Sequence, residues 1–166
     1  MSRARPWAAW LLGSAVLLAA GCATQLRTEV PAEVAAGPWS GRMALQVEGN
    51  QSQSFAAAFE LKGTAREGEL ALFSPLGGTL AVLAWAPGSA TLRASGESRS
   101  FESVEALVTH TTGAAIPVGA LFDWLRGVQT PAPGWQADLS QLGNGKLRAE
   151  RLQPLPRADL RVALDR

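Results

Sequence analysis

The sequence predicts a mainly β domain, an antiparallel meander with two helices set against it. Three observations predict it. Apolar residues alternate with polar or small ones over short segments, the mark of a half-buried strand. Turn residues separate these segments at regular intervals. Between residues 103 and 127 the apolar period changes from two to nearly four, the mark of an amphipathic helix.

The domain starts near Trp39. In Arg42–Val47, Met43, Leu45 and Val47 share one face, and Glu48-Gly49-Asn50 ends the run. Phe55, Ala57, Phe59 and Leu61 form the next face, followed by turn residues from Lys62-Gly63 to Gly68. Glu69–Phe73 and Thr79–Trp85 read as the third and fourth strands, the latter turned by Ala86-Pro87-Gly88-Ser89. Ala90–Ala94 reads as the fifth and Arg99–Phe101 as the sixth. Ser103 then suits an N-cap, Val104, Leu107, Val108 and Thr111 fall on one helical face, and Gly113 suits the helix end. Pro117 is placed as the first residue of a second helix. Its stripe is Val118, Leu121, Phe122 and Leu125, and Gly127 stops it. Each helix has one apolar face, so both should lie on the sheet or plug its open end. After the loop Gln129–Gly134, strands resume at Trp135–Leu139, Lys146–Leu152 and Asp159–Leu164. Asn144-Gly145 predicts a tight hairpin between the first two. The total is roughly nine strands and two helices, with no internal repeat.

The N-terminus carries a different signal. Arg3 and Arg5 precede an apolar run from Trp7 to Ala20, and Ala19-Ala20-Gly21 leads into Cys22. Charged, apolar and small-residue segments in that order predict a secretory signal over residues 1–21. The run is shorter than the ~20 residues that span a bilayer. Cys22 is the only cysteine of the 166 residues. Its place resembles a bacterial lipobox, with Ala19 where leucine is usual. The resemblance implies a thiol carrying diacylglycerol, cleavage before Cys22 and acylation of the new amine. Residues 22–38 then form the acylated cysteine and a flexible tether, and residues 39–166 the folded domain. Removing Arg3 and Arg5 from 15 basic and 14 acidic side chains leaves the mature chain near neutrality. Nothing in that balance points to nucleic acid. Without a second cysteine there is no intramolecular disulfide, so burial must supply the stability.

Catalytic chemistry is sparse. His110 is the only histidine, in a Thr-His-Thr-Thr context at a helix end, and it reads as solvated rather than catalytic. No metal set assembles from His110 and Cys22. The carboxylates Glu67, Glu69, Glu102, Glu105 and Asp123 fall in turns or on polar faces. Gly143-Asn144-Gly145-Lys146 lacks the upstream glycine and the Ser/Thr of a phosphate loop. No catalytic residue, metal or cofactor is expected. A rich apolar interior with a poor catalytic set points to binding something greasy. The loop Ser74-Pro75-Leu76-Gly77-Gly78 leaves two placements for Leu76, folded back onto the core or held out. Held out, it would enter a membrane reversibly, since one leucine contributes about 1.5–3 kcal/mol.

Several segments, in order, resemble the outer-membrane lipoprotein LolB family. They are Trp39-Ser40-Gly41-Arg42, Ser74-Pro75-Leu76-Gly77, Thr112–Val118 and Leu121-Phe122-Asp123-Trp124-Leu125-Arg126-Gly127. The resemblance covers about residues 39–139, behind the lipoprotein signal. It implies a half-open antiparallel β-barrel of the LolA/LolB type, closed by helices, with an apolar cavity for the acyl chains of lipoproteins. It also implies a receptor that takes lipoproteins from a periplasmic LolA-like carrier and places them in the outer membrane. Its partners would be that carrier, acylated cargo and outer-membrane lipid. The receptor would act as a lipid-anchored monomer on the periplasmic face of a Gram-negative outer membrane. The family's protruding apolar loop residue falls on Leu76, and Ala23 in place of aspartate permits outer-membrane sorting. Beyond Trp135 the chain departs from the family, with fewer strands and no late aromatic, which predicts a shallower cavity.

The expected cavity lining is Met43, Leu45, Phe55, Phe59, Leu70 and Leu72, then Leu80, Val82 and Trp85, with Leu121 and Leu125 under a helical lid. Periodicity leaves the inward parity open, because a one-residue slip turns every side chain over. A carrier-docking patch would need Arg42, Lys62, Arg66, Arg93 and Arg99 to converge. The rival reading is a structural or assembly lipoprotein whose apolar strands only build a core.

Overall fold

The computed structural model describes residues 36–49 and 53–165. The signal, Cys22 and the tether up to residue 35 lie outside them. Nine strands form one antiparallel sheet: β1 (Ala36–Glu48), β2 (Gln53–Gly63), β3 (Gly68–Phe73), β4 (Thr79–Ala86), β5 (Ser89–Ala94), β6 (Glu97–Phe101), β7 (Trp135–Asp138), β8 (Lys146–Arg151) and β9 (Arg157–Leu164). Two helices, α1 (Val104–Thr112) and α2 (Val118–Leu125), separate β6 from β7. The spatial order is β6-β5-β4-β3-β2-β1-β9-β8-β7. Six strands therefore run as a meander, and the last three return to the free side of β1. The sheet stays open, with β6 and β7 as its edges.

Alternation decides which face is which. On β1 and β2, Leu45, Val47, Ala57, Phe59 and Leu61 are buried, while Arg42, Gln46, Ser54 and Glu60 are exposed. Leu147 and Ala149 of β8 and Ala158, Leu160 and Val162 of β9 continue the buried face. The helices lie on it. The hydroxyl of Ser103 caps α1 by accepting from the Ala106 N–H at 3.1 Å. Gly113, at φ 70°, closes its other end by donating to Thr109. Helix α2 buries Val118, Ala120, Phe122, Trp124 and Leu125, more than one stripe, as a helix sunk in a core must.

Three indole N–H groups in this interior find carbonyl partners. Trp85 donates to Thr64, Trp124 to Thr130 and Trp135 to Ala115, at 3.1, 2.8 and 3.0 Å. Each bond pins a loop to the core and satisfies a donor whose desolvation would otherwise oppose folding.

The structure differs from the expectation in three local ways. Strand β1 begins at Ala36, so the last residues of the expected tether are already paired in the sheet. Pro117 caps α2 in extended conformation (φ −77°, ψ 90°) instead of being its first helical residue. Asn144-Gly145 is not a two-residue hairpin. The β7–β8 connection contains a 3₁₀ turn at Leu142–Asn144 and closes at Gly145, where φ is 74°. A type I′ turn needs positive φ at both central residues, and Asn144 does not have it.

Candidate functional site

Between the sheet and the helices lies an apolar cavity of about 210 Å³. Its walls come from β1 to β5, from β9 and from both helices. Of the expected lining, Met43, Leu45, Phe55, Leu70, Leu72, Trp85 and Leu121 stand in the wall. Phe59 and Leu125 are buried in the adjoining core without facing the cavity.

Leu80 and Val82 require correction. The inward residues of β4 are Ala81, Leu83 and Trp85. Leu80 and Val82 line a small hollow on the other face, with Arg93 and Ala94. An alternating strand cannot direct 80, 82 and 85 to one side, so choosing Trp85 excludes the other two. The structure also adds walls that periodicity did not single out, among them Val47, Leu61, Leu92, Ile116 and Leu160. Ile116 and Leu160 come from a loop and from the last strand, so only long-range pairing brings them here.

Aromatic contacts hold α2 over the cavity. Phe122 is 1% exposed and lies edge-on to Trp39 at 5.5 Å and to Trp85 at 6.2 Å between ring centroids. At the end of α2, Asp123 accepts from the Thr130 hydroxyl at 2.7 Å and pairs with Arg126. The Thr130 hydrogen bond and then Arg126 hold its carboxyl below the ordinary range. This carboxylate staples the helix end to the following loop.

Leu76 is 98% exposed at the β3–β4 turn. The turn is tightly bonded. The Ser74 N–H donates to the Gly78 carbonyl at 2.8 Å, and the Gly77 N–H donates to the Ser74 carbonyl at 2.9 Å. The Ser74 hydroxyl accepts from the Gly78 N–H at 3.1 Å. Pro75 occupies the second turn position and Gly77 the fourth, at φ 84°, as such turns prefer. The leucine is thus presented on a fixed stem.

The five arginines and lysines considered as a patch do not converge. Lys62 pairs with Glu69 and Arg99 with Glu97. Arg93, on β5, is four strands from Arg42, about 19 Å at the usual strand spacing. His110 is exposed, 5.3 Å from the Phe101 ring. Among the described residues no group of three or more metal-ligating side chains assembles, and no helix is long and apolar enough to cross a membrane.

An open antiparallel sheet, an apolar cavity under two helices and a projecting leucine form the setting for comparison with known proteins. The family model described as outer membrane lipoprotein LolB matches residues 38–153. The chain belongs to the LolB family. Among its relatives is the outer-membrane lipoprotein LolB of Bordetella petrii, 33% identical over 93% of this chain and 90% of that protein. The LolB of Chromobacterium violaceum is 35% identical over 81% of this chain and 74% of its own length. That of Cupriavidus pinatubonensis is 33% identical, with 89% and 72% covered. The LolB match runs through β1 to β8, and so takes in the projecting leucine and both helices.

Proposed function

We propose that this LolB-family chain is a lipid-anchored outer-membrane receptor that accepts lipoproteins from a periplasmic LolA-like carrier and inserts them into the outer membrane. The observation that carries the reading is the apolar cavity beneath α1 and α2 in a protein that also holds Leu76 out at the end of a rigid turn. Acyl chains on Cys22 keep the domain at the membrane, each buried CH₂ contributing ~0.8 kcal/mol. Cargo acyl chains enter the cavity from the carrier and leave it for the bilayer. No energy source is needed, because each step follows a gain in apolar burial. The cavity volume of about 210 Å³ lies below the roughly 300 Å³ where ligand pockets begin. Loading therefore displaces a helix, and α2, which contributes Leu121 and Phe122 to the wall, is the element to move. Leu76 enters the bilayer during delivery and orients the cavity toward it.

The test is transfer of an acylated lipoprotein from its soluble carrier to residues 24–166, and then to liposomes, with Leu76→Glu alongside. The reading expects both proteins to take cargo and only the unaltered one to deliver it. If no cargo reaches the unaltered domain, the structural-lipoprotein reading replaces this one.

A further inference from the structure

The outer face of the sheet, opposite the cavity, holds a hollow of about 870 Å³ for which cargo delivery has no use. Strand register builds its floor. One row crosses five neighbouring strands as Phe73, Ala58, Arg42, Ala163 and Lys146. The next row is Ala56, Ala44, Arg161, Arg148 and Asp138. Ser74, Pro75 and Gly77, the stem that carries Leu76, form a wall of the same hollow.

The two rows differ in charge balance. Arg148 and Arg161 both donate to Asp159, at 2.7 and 2.9 Å, and Arg148 also pairs with Glu150. Their charge is largely spent within the sheet. Arg42 and Lys146 are exposed and form no ion pair among the described residues. They stand two strands apart in one row, about 10 Å between backbones. Long side chains from such positions can close on one anion, with Ala163 of the intervening strand beneath it.

We propose that this hollow docks the headgroup of an anionic phospholipid while Leu76 is in the bilayer, with the lipid phosphate between Arg42 and Lys146. The inference rests on the membrane role proposed for Leu76. Because the loop stem is a wall of the hollow, the surface that Leu76 enters is the surface the two free cations meet. A protein partner is less well matched. Two cations over a small apolar floor complement a single phosphodiester and its glycerol, whereas an acidic protein face would engage a wider field. A basic side chain at an anionic surface contributes about a fivefold gain in binding, so the pair gives roughly 30-fold.

The test uses the full acylated chain in nanodiscs of phosphatidylcholine containing one-third phosphatidylglycerol, with a trace of the latter bearing a photoreactive headgroup. Labelling is expected on β1, β8 and β9 within the hollow. Arg42→Glu/Lys146→Glu is expected to lose it by more than the roughly 30-fold that removing the two cations alone would cost, and Arg42→Lys/Lys146→Arg to retain it. Thermal midpoints check that both variants fold. Labelling elsewhere, or labelling that survives the double charge reversal, overturns the inference. Cargo delivery into the same discs is read separately. Labelling in the hollow without delivery leaves this surface standing and removes the receptor reading. If the double reversal instead blocks uptake from the carrier and leaves labelling unchanged, the hollow is a protein dock and the inference falls.

Discussion

Phe122→Leu separates a cavity that opens by moving α2 from one that a chain can simply enter. The Phe122 ring meets Trp39 and Trp85 edge-on. Each such pair contributes about 0.5–1.5 kcal/mol beyond burial, so the two together contribute about 1–3 kcal/mol. Leucine keeps most of the apolar burial and loses both ring contacts. Unfolding in urea should therefore show a loss of about 1–3 kcal/mol, read as a lower midpoint at unchanged slope. The same contacts hold α2 closed over the cavity. If acyl chains bind only when α2 is displaced, apparent affinity scales with the displaced fraction. Weakening the closed state by 1–3 kcal/mol should then tighten binding of a fluorescent fatty acyl probe by about 5- to 150-fold. Stability and affinity move in opposite directions from one substitution. If stability falls as calculated while affinity stays level or weakens, the chain enters without moving α2 and the argument is refuted.

Leu76→Ala should leave the urea midpoint unchanged, because the side chain is 98% exposed. It should slow delivery to liposomes by up to about 60-fold, since it removes three carbons at ~0.8 kcal/mol each; equal delivery rates would show that the leucine does not enter the bilayer. Asp159 has its carboxyl lowered to about 2, first by the Arg148 hydrogen bond and then by Arg161. A depressed carboxyl contributes stability above its unfolded value, and that contribution is lost as pH falls through the folded one. Asp159→Asn should cost about 1 kcal/mol at neutral pH after solvent screening. The gap should close between about pH 4 and pH 2, and a gap constant over denaturation curves at neutral and acid pH would contradict this. Gly134 sits at φ 77°, where an added Cβ would lie 1.9 Å from the Gln153 carbonyl oxygen. Gly134→Ala should destabilise by at least ~2 kcal/mol, and a midpoint near that of the parent chain would show that the β7 approach is adaptable.

The strands were legible because alternation is local. Met43, Leu45 and Val47 announce their face without reference to any partner, and Val104, Leu107 and Val108 do the same for α1. Two things were beyond local pattern. Parity was one: nothing near Leu80 and Val82 says that Ala81 faces in, since a small residue in a cavity wall looks like a small residue anywhere. Leu76 was the other, because the same Pro-Leu-Gly-Gly string permits a leucine folded back or held out, and only the bonded turn decides. Asn144-Gly145 misled for a related reason. The dipeptide favours a tight turn, but the register of β8 on β7 and β9 spaces the strands for a longer loop. The outer hollow was invisible in the sequence, since Arg42 and Lys146 come into one row only through the pairing of β1 with β9 and β9 with β8.

One irregularity ties these features together. The pairing of β3 with β4 shifts between Leu72 and Phe73: Leu72 faces Ala81, yet Phe73 faces Thr79. Leu80 is the extra residue, and a bulge of this kind bends its strand and re-aims the neighbouring side chains. Without it, Leu80 would pair across from Phe73 in place of Thr79. Leu80 faces outward at 44% exposed, and Ser74, Pro75 and Gly77 of the turn stand at the rim of the outer hollow. On the inner side Leu72 and Ala81 still meet in the cavity wall. The same short stretch therefore has the apolar cavity on one face, the cationic hollow on the other and the leucine at its tip. On the reading proposed, a bilayer that receives Leu76 meets the headgroup surface and the cavity wall within a few residues of each other, because β3 and its turn border the one and β3 and β4 the other.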